Sequence, residues 1–314
     1  MYELEKRFCK DVKAPINCFH PSCFFERLKV LGLQEQFIDY MNFIRSTFDT
    51  DQDYLEYYNS VKDKAITFIK NSEAFQHLNA CDMSQYSKDR LDFSKNDIYK
   101  SFNIGSYFIS IDMKKANFTA LVHYAKENGL DFFDSYNYDD FISKFTEYSH
   151  IRQSKYIRQV IFGNCNPKRQ ISYETFLMTK LLKKLISACY IRKQDVYAIR
   201  SDEIIIKADD LSDKSINFLR NFILEYSEEN FPLSFEYFRL GKIVNTEAFI
   251  KDFDEGKYEL KCVNPIEAPF IYRYMNYESF NNSDFLFEYN GKLAKLLEKP
   301  DLSISYQKET EKVF

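Results

Sequence analysis

The stretch Gly105-Ser106-Tyr107-Phe108-Ile109-Ser110-Ile111-Asp112-Met113 is the most informative in the chain. A short, β-rich apolar run follows a glycine and ends on an acid, which predicts a buried strand with a carboxylate at its C-terminal end. A helix is expected to begin near Lys115. About ninety residues on, Val196–Ile199 and Glu203–Lys207 are two further β-rich runs flanking Ser201-Asp202. That pattern predicts a hairpin with an acid at its tip. Brought together on adjacent strands, Asp112 and Asp202 repel each other. A shared divalent cation with hard oxygen ligands, most often Mg2+, relieves that repulsion.

The segment between these acids is cationic. From Tyr148 to Gln194 ten basic residues, Arg152, Lys155, Arg158, Lys168, Arg169, Lys180, Lys183, Lys184, Arg192 and Lys193, stand against one acid, Glu174, a net +9. The whole chain carries −4. Solvated helices usually interleave Glu with Lys, so single-sign enrichment points to an anionic partner such as phosphate or nucleic acid. On a helix over Ile151–Phe162, the residues Arg152, Lys155, Arg158 and Phe162 fall within an arc of roughly 120°. Tyr156, Ile157, Val160 and Ile161 occupy the opposite, buried face. A face that mixes cations with a ring suits a triphosphate and its nucleobase.

Outward from this centre, Phe24–Phe48 and Tyr54–Ala80 read as two long helices. A short helix is expected at Tyr138–Tyr148 and a further amphipathic helix at Tyr173–Ile191, with another marked by Ile216, Leu219, Ile223 and Tyr226. Strands are expected at Ser234–Phe238, Tyr258–Cys262 and Phe270–Tyr274, and a packed helix over 284–297. The class is α+β, a small antiparallel sheet with helices inserted between its strands.

Composition bounds the rest. The 314 residues are 45% hydrophobic and 29% charged, with 31 Phe, 24 Tyr and no Trp, which excludes wholesale disorder. No apolar run reaches the ~20 residues of a spanning helix. The charged start Met1-Tyr2-Glu3-Leu4-Glu5-Lys6-Arg7 is unlike a signal peptide. A soluble, cytoplasmic protein with no membrane contact is the expectation. The seven Cys include no C-x-x-C and read as reduced thiols. Cys9, Cys18, His20 and Cys23 have the residue types of a zinc site but not a standard spacing; buried cysteines are the other reading. No P-loop, dinucleotide-binding, zincin or nucleophile-elbow motif occurs. His20, His77, His123 and His150 do not cluster, and His123 reads as a packing residue.

Three segments, in order, resemble family A DNA polymerases of the DNA polymerase I type. Phe108-Ile-Ser-Ile-Asp112-Met113 with Leu121-Val-His-Tyr-Ala125 resembles motif A. Arg158-Gln-Val-Ile-Phe162-Gly163 is similar to motif B on the fingers helix, and Ser201-Asp202-Glu203-Ile-Ile-Ile to motif C. Phe231-Pro-Leu-Ser-Phe-Glu236 resembles the strand that closes the palm. The likeness spans roughly residues 100–245 and implies a nucleotidyltransferase, adding nucleotides to a primer 3' end by two-metal phosphoryl transfer.

By that likeness Asp112 and Asp202 bind Mg2+ or Mn2+, with Glu203 nearby as a third catalytic acid and the Met113 carbonyl assisting. Arg158 and Lys155 contact the incoming nucleoside triphosphate, and Phe162 lies against its sugar and base. Asn117 stands where the family's sugar-selecting Glu is expected. Ser201 replaces the family's His, Asn166 its Tyr and Ser154 an Arg. Arg152, Lys168, Arg169, Lys180 and Lys184 are the candidate contacts to primer and template. The implied organisation is an N-terminal helical region over 1–100 that could form a minimal thumb, a palm with reduced fingers over 101–245 (fingers about 137–193), and a C-terminal extension over 246–314 that could dock a protein partner. Two other readings stay open. One is a polymerase-like fold that has lost turnover and binds nucleic acid or serves assembly; the other is a reverse-transcriptase-like palm, which Asp202-Glu203 fits less well than two adjacent Asp would.

Overall fold

The architecture comes from a computed structural model that describes residues 2–87, 95–253 and 256–307. Five helices lead the chain: α1 Glu3–Val12, α2 Pro21–Val30, α3 Gln34–Thr47, α4 Asp51–Asn71 and α5 Glu73–Ala80. Then come β1 Tyr107–Met113, α6 Ala116–Asn128, α7 Tyr138–Ser143, α8 Ser149–Gln153, α9 Lys155–Gly163 and α10 Pro167–Ser187. The hairpin β2 Val196–Ile199 and β3 Glu203–Lys207 follows, then α11 Asp213–Glu229, β4 Leu233–Ile243, β5 Phe249–Asp252 and β6 Tyr258–Lys261. The chain continues through α12 Ala268–Met275, β7 Leu286–Tyr289, β8 Lys292–Lys295 and β9 Ile304–Ser305.

The main sheet is antiparallel in the order β2-β3-β1-β4-β5-β6, with β9 also on β4. Strand β1 is therefore interior, between the hairpin and β4. Side chains alternate across a strand, and β1 uses both faces. Ile109, Ile111 and Met113, with Ile204 and Ile206 of β3, join the large core formed by the helices. On the other face Phe108, Ile205, Phe238 and Leu240 form a smaller cluster closed by Ile98 and Ile104. That second cover ends before Ser110, Asp112, Glu203, Ser234 and Glu236. Polar residues thus hold one end of a sheet face that is apolar at the other.

The expected long helices are interrupted, each for a local reason. Phe24–Phe48 breaks at Gly32, whose φ of +67° is the left-handed conformation that glycine adopts without strain. The Leu33 amide closes the end of α2 on the Leu28 carbonyl at 2.8 Å. Tyr54–Ala80 breaks at Ser72, which caps α5 by accepting from the Phe75 amide at 3.3 Å. Ile151–Phe162 breaks at Ser154, an extended residue that caps α9. Its hydroxyl accepts from the Ile157 amide at 3.0 Å and donates to the buried Asp11 carboxylate at 2.6 Å. Phe270–Tyr274 is helical, within α12, rather than a strand. Residues 284–297 hold the β7–β8 hairpin rather than a helix.

The N-terminal helices share one core with the helices that follow β1: α1 and α4 both pack on α9. The C-terminal segment folds back onto α2. Arg27 donates to the carbonyls of Pro265 and Leu286, and Arg273 reaches Glu26 as well as Asp284. Among the described residues no helix is long and apolar enough to cross a membrane.

Candidate functional site

The two acids picked out by the sequence meet at one end of the sheet. In the β1–β3 register Asp112 lies opposite Glu203, and Met113 donates its amide to the Asp202 carbonyl at 2.8 Å. Asp202 occupies the turn of the β2–β3 hairpin, beside the end of β1. Asp112 also lies opposite Ser234 of β4, whose hydroxyl donates to the Asp112 carbonyl at 3.3 Å. Glu236, two residues along β4, shares the same face.

Four carboxylates thus crowd one sheet end, and their partners differ. Glu203 accepts from the Ser110 hydroxyl at 2.7 Å and pairs with Arg200 at 3.5 Å. Glu236 pairs with Lys251 at 2.7 Å. Asp202 accepts from its neighbour Ser201 at 3.1 Å. Among the described residues neither Asp112 nor Asp202 has a cationic partner in contact. Burial, followed by the charges of Asp202, Glu203 and Glu236, pushes the Asp112 carboxyl up to about 7. The crowding is an unfavourable arrangement that a cation would relieve.

Among the described residues no group of three or more His, Cys, Asp or Glu side chains converges to hold a metal by itself. Mg2+ sites that handle phosphates commonly use only one or two carboxylates and take their remaining ligands from water and substrate. The donor set here, two aspartates with hard oxygens and no cation of their own, fits that chemistry.

A cluster of cations gathers about Tyr138, beyond the end of β1. Arg158, on α9, rests its guanidinium 5.6 Å from the Tyr138 ring centroid, and Lys115 sits 5.5 Å from the same ring. The Lys115 ammonium is held below its usual range by burial and then by Arg158. Lys155, one turn before Arg158, lies beside Lys13 at the C-terminal end of α1. Burial, then Lys155 and Arg158, brings Lys13 down to about 8.

Asn117 donates to the Glu174 carboxylate at 2.6 Å, tying α6 to α10. Glu174, the lone acid of the basic stretch, is buried. Burial and the charge of Asp202 push it up to about 7. Met113 has its side chain in the core, so only its backbone faces the acids.

Several expected contacts are otherwise employed. Phe162 is 1% exposed and packs on Phe118 and Tyr138, with Ile157 and Ile161 beside it. It is a core residue and offers no free ring to a nucleobase, because the apolar face of α9 is wider than the expected arc. Arg152 is paired with Asp139. Arg169 donates to the carbonyls of Leu78 and Cys81, each at 2.8 Å, and so caps the end of α5. Lys168, Lys180 and Lys184 are exposed on α10. Lys168 is turned by about 120° from Lys180, so the three do not form one stripe, and Lys184 lies over the rings of Phe222 and Tyr226.

The cysteine expectation also changes. Cys18 and Cys23 are joined by a disulfide, and His20 pairs with Ser22 at 2.6 Å. Burial pushes the Cys9 thiol up to about 12. These four residues do not assemble as a zinc site. His123 packs as expected, bonded to Tyr173 at 3.0 Å.

Glu174, Lys115, Lys13 and Glu236 were not among the residues singled out from sequence for the site. Glu174 did carry a signal, as the only acid in a cationic stretch; Lys13 carried none. No family model matches the chain, and no curated protein or solved structure is significantly similar to it.

Proposed function

We propose that the protein is a palm-type nucleotidyltransferase that extends a nucleic-acid primer. The observation that carries this reading is the pairing of Asp112 and Asp202 at one sheet end, without cationic partners, while Glu203 and Glu236 each have one. The strand order supports it. An interior β1 flanked by the β2–β3 hairpin and β4, with helices joining β1 to β2 and β3 to β4, follows the β-α-β-β-α-β plan. The resemblance to family A polymerase motifs supplies the reaction type.

Asp112 and Asp202 would hold Mg2+ or Mn2+, which supplies Lewis-acid activation of the primer 3'-hydroxyl and neutralises charge on the leaving pyrophosphate. Arg158 and Lys115 bind and orient the triphosphate through charge-assisted contacts, while Lys155 faces Lys13. Glu203, held by Ser110 and Arg200, orients the hairpin tip. In this reading the N-terminal helices buttress α9 rather than swing as a thumb. The burial of Phe162 favours a second reading, a palm-like fold that binds nucleic acid without turnover.

Incubating the protein with labelled primer, with and without template, and with deoxy- or ribonucleoside triphosphates plus Mg2+ or Mn2+ tests the proposal. Extension lost in Asp202→Asn supports it. Salt-sensitive nucleic-acid binding without extension under any of these conditions would favour the second reading.

A further inference from the structure

A separate cavity of about 840 Å3 lies among α1, α3 and the α8–α9 junction. None of Asp112, Asp202 and Glu203 lines it. Its volume is that of a small-molecule site, and its walls combine apolar and aromatic side chains with a larger set of polar and charged ones. Rings of Tyr40, Phe43, Tyr148 and His150 line it, with Phe43 4.7 Å from both Tyr148 and His150.

Two polar atoms on this wall lack partners among the described residues. Asp11 is 8% exposed; its Oδ1 accepts from Tyr58 at 2.7 Å and from Ser154 at 2.6 Å, but its Oδ2 accepts from nothing. His150 Nε2 is buried and likewise unbonded. Leaving such atoms without a partner costs free energy, and a small rotation of either side chain toward the cavity lets a ligand's polar atoms recover it.

The cavity has a charged part as well. Lys13 and Lys155 both line it, their ammonium groups lie side by side, and among the described residues neither has an acid partner. Lys155 is also the first residue of α9, whose N-terminus carries the positive end of the helix dipole. Two neighbouring ammonium groups at a helix N-terminus are a cradle for phosphate. Asp39 and Glu147 also line the cavity, so it is not uniformly positive. Its occupant needs donors as well as an anionic end.

We propose that this cavity binds a nucleoside phosphate, with the phosphate on Lys13 and Lys155 and the base among the aromatic rings, its amino edge donating to Asp11. Aromatic walls stack any base, and a planar ring with exocyclic amines and a phosphate tail meets all three features together. The site does not depend on the acid pair or on primer extension. Inorganic triphosphate would satisfy only the lysines, and a nucleoside only the rings and Asp11.

Titration calorimetry on the full chain without divalent cations tests this, using each of the four ribonucleoside triphosphates, inorganic triphosphate and adenosine. Expected is saturable binding of at least one nucleoside triphosphate, at least tenfold tighter than inorganic triphosphate or adenosine. Lys13→Ala, a change on a surface turn, weakens it about tenfold, and His150→Phe weakens it too. The Asp112→Asn/Asp202→Asn double variant leaves it unchanged. Absence of saturable nucleotide binding, equal affinity for inorganic triphosphate, or loss of binding in the double variant with Lys13→Ala silent would each overturn the proposal. Because no primer, template or metal is present, failure here is separable from failure of the extension assay.

Discussion

The Met113 amide donates to the Asp202 carbonyl at 2.8 Å. Together with the β1–β3 ladder, which sets Asp112 opposite Glu203, this bond fixes the hairpin tip against the end of β1 and brings Asp112 and Asp202 to the same sheet end. Since Asp112 and Asp202 lack cationic partners while Glu203 is held by Ser110 and Arg200, the three acids should not be equivalent. Asp112→Asn and Asp202→Asn are each expected to lower single-turnover primer extension by at least about a thousandfold, the scale of losing a transition-state charge contact. Glu203→Gln should cost roughly tenfold, as an orienting residue that keeps its hydrogen bond from Ser110. Both Asn variants should melt no lower than the wild type without metal, because each removes a repelling charge. Equal losses in all three variants would contradict this division of roles.

Glu174 is the other acid whose setting makes a sharp forecast. Its carboxylate accepts from Asn117 in a buried position and feels Asp202. Glu174→Gln keeps an acceptor while removing a buried charge, so stability at neutral pH should hold or rise. Glu174→Ala leaves the Asn117 amide unbonded and is expected to cost about 1–3 kcal/mol. Urea denaturation of both variants distinguishes them; a Gln variant less stable than the Ala variant would be inconsistent with the burial seen.

Much of the sheet was legible in the sequence, and the reasons are local. The runs at 107–113 and 203–207 are β-rich, each carries an acid at the end that faces the other's and is bounded by turn residues, so local composition locates β1, β3 and the hairpin. The C-terminal third was misread. Phe270-Ile-Tyr-Arg-Tyr274 has strand-like composition, but tertiary context makes it α12, with Arg273 drawn to Asp284, Glu278 and Glu26. Ser154 was legible only as a departure from a family pattern. Its true role depends on Asp11, 143 residues earlier. Phe162 was misplaced because a helical wheel shows direction but not how much of the surrounding arc neighbouring helices cover. Arg152 and Arg169 counted as surface charge in sequence, yet their partners Asp139 and the α5 carbonyls become adjacent only after folding.

Asp11 and His150 should give opposite pH signatures. Burial raises Asp11 from its ordinary 3.8 to about 6, so between those values the folded state binds more protons and stability falls as pH rises. Burial lowers His150 from 6.5 to about 4, so there the unfolded state binds more protons and stability is lost on acidification. Each slope is at most about 1.4 kcal/mol per pH unit. Subtracting the stability curve of Asp11→Asn from that of the wild type should leave a decline from pH 4 to 6 that is flat above. The same subtraction for His150→Phe should leave a rise over pH 4 to 6.5. Curves parallel to the wild type would refute the burial of these groups.

The fold-back of the C-terminal segment rests on a buried ion pair. Arg273 is 7% exposed, and its guanidinium meets Asp284, 2% exposed, at 2.7 Å, with Glu278 at 2.8 Å and Glu26 at 3.4 Å. Removing only the cation leaves Asp284 buried without its charge partner, a loss of about 3–5 kcal/mol. Arg273→Met is therefore expected to lower the denaturation midpoint strongly and to open residues 268–297 to limited proteolysis. Adding Asp284→Asn to it removes the stranded charge and should recover a large part of the loss, since an ion pair replaced whole by neutral groups is often close to neutral in stability. If the double variant is no more stable than Arg273→Met, what holds this segment to α2 is the pair of bonds from Arg27 to the Pro265 and Leu286 carbonyls, and the ion pair is secondary to it.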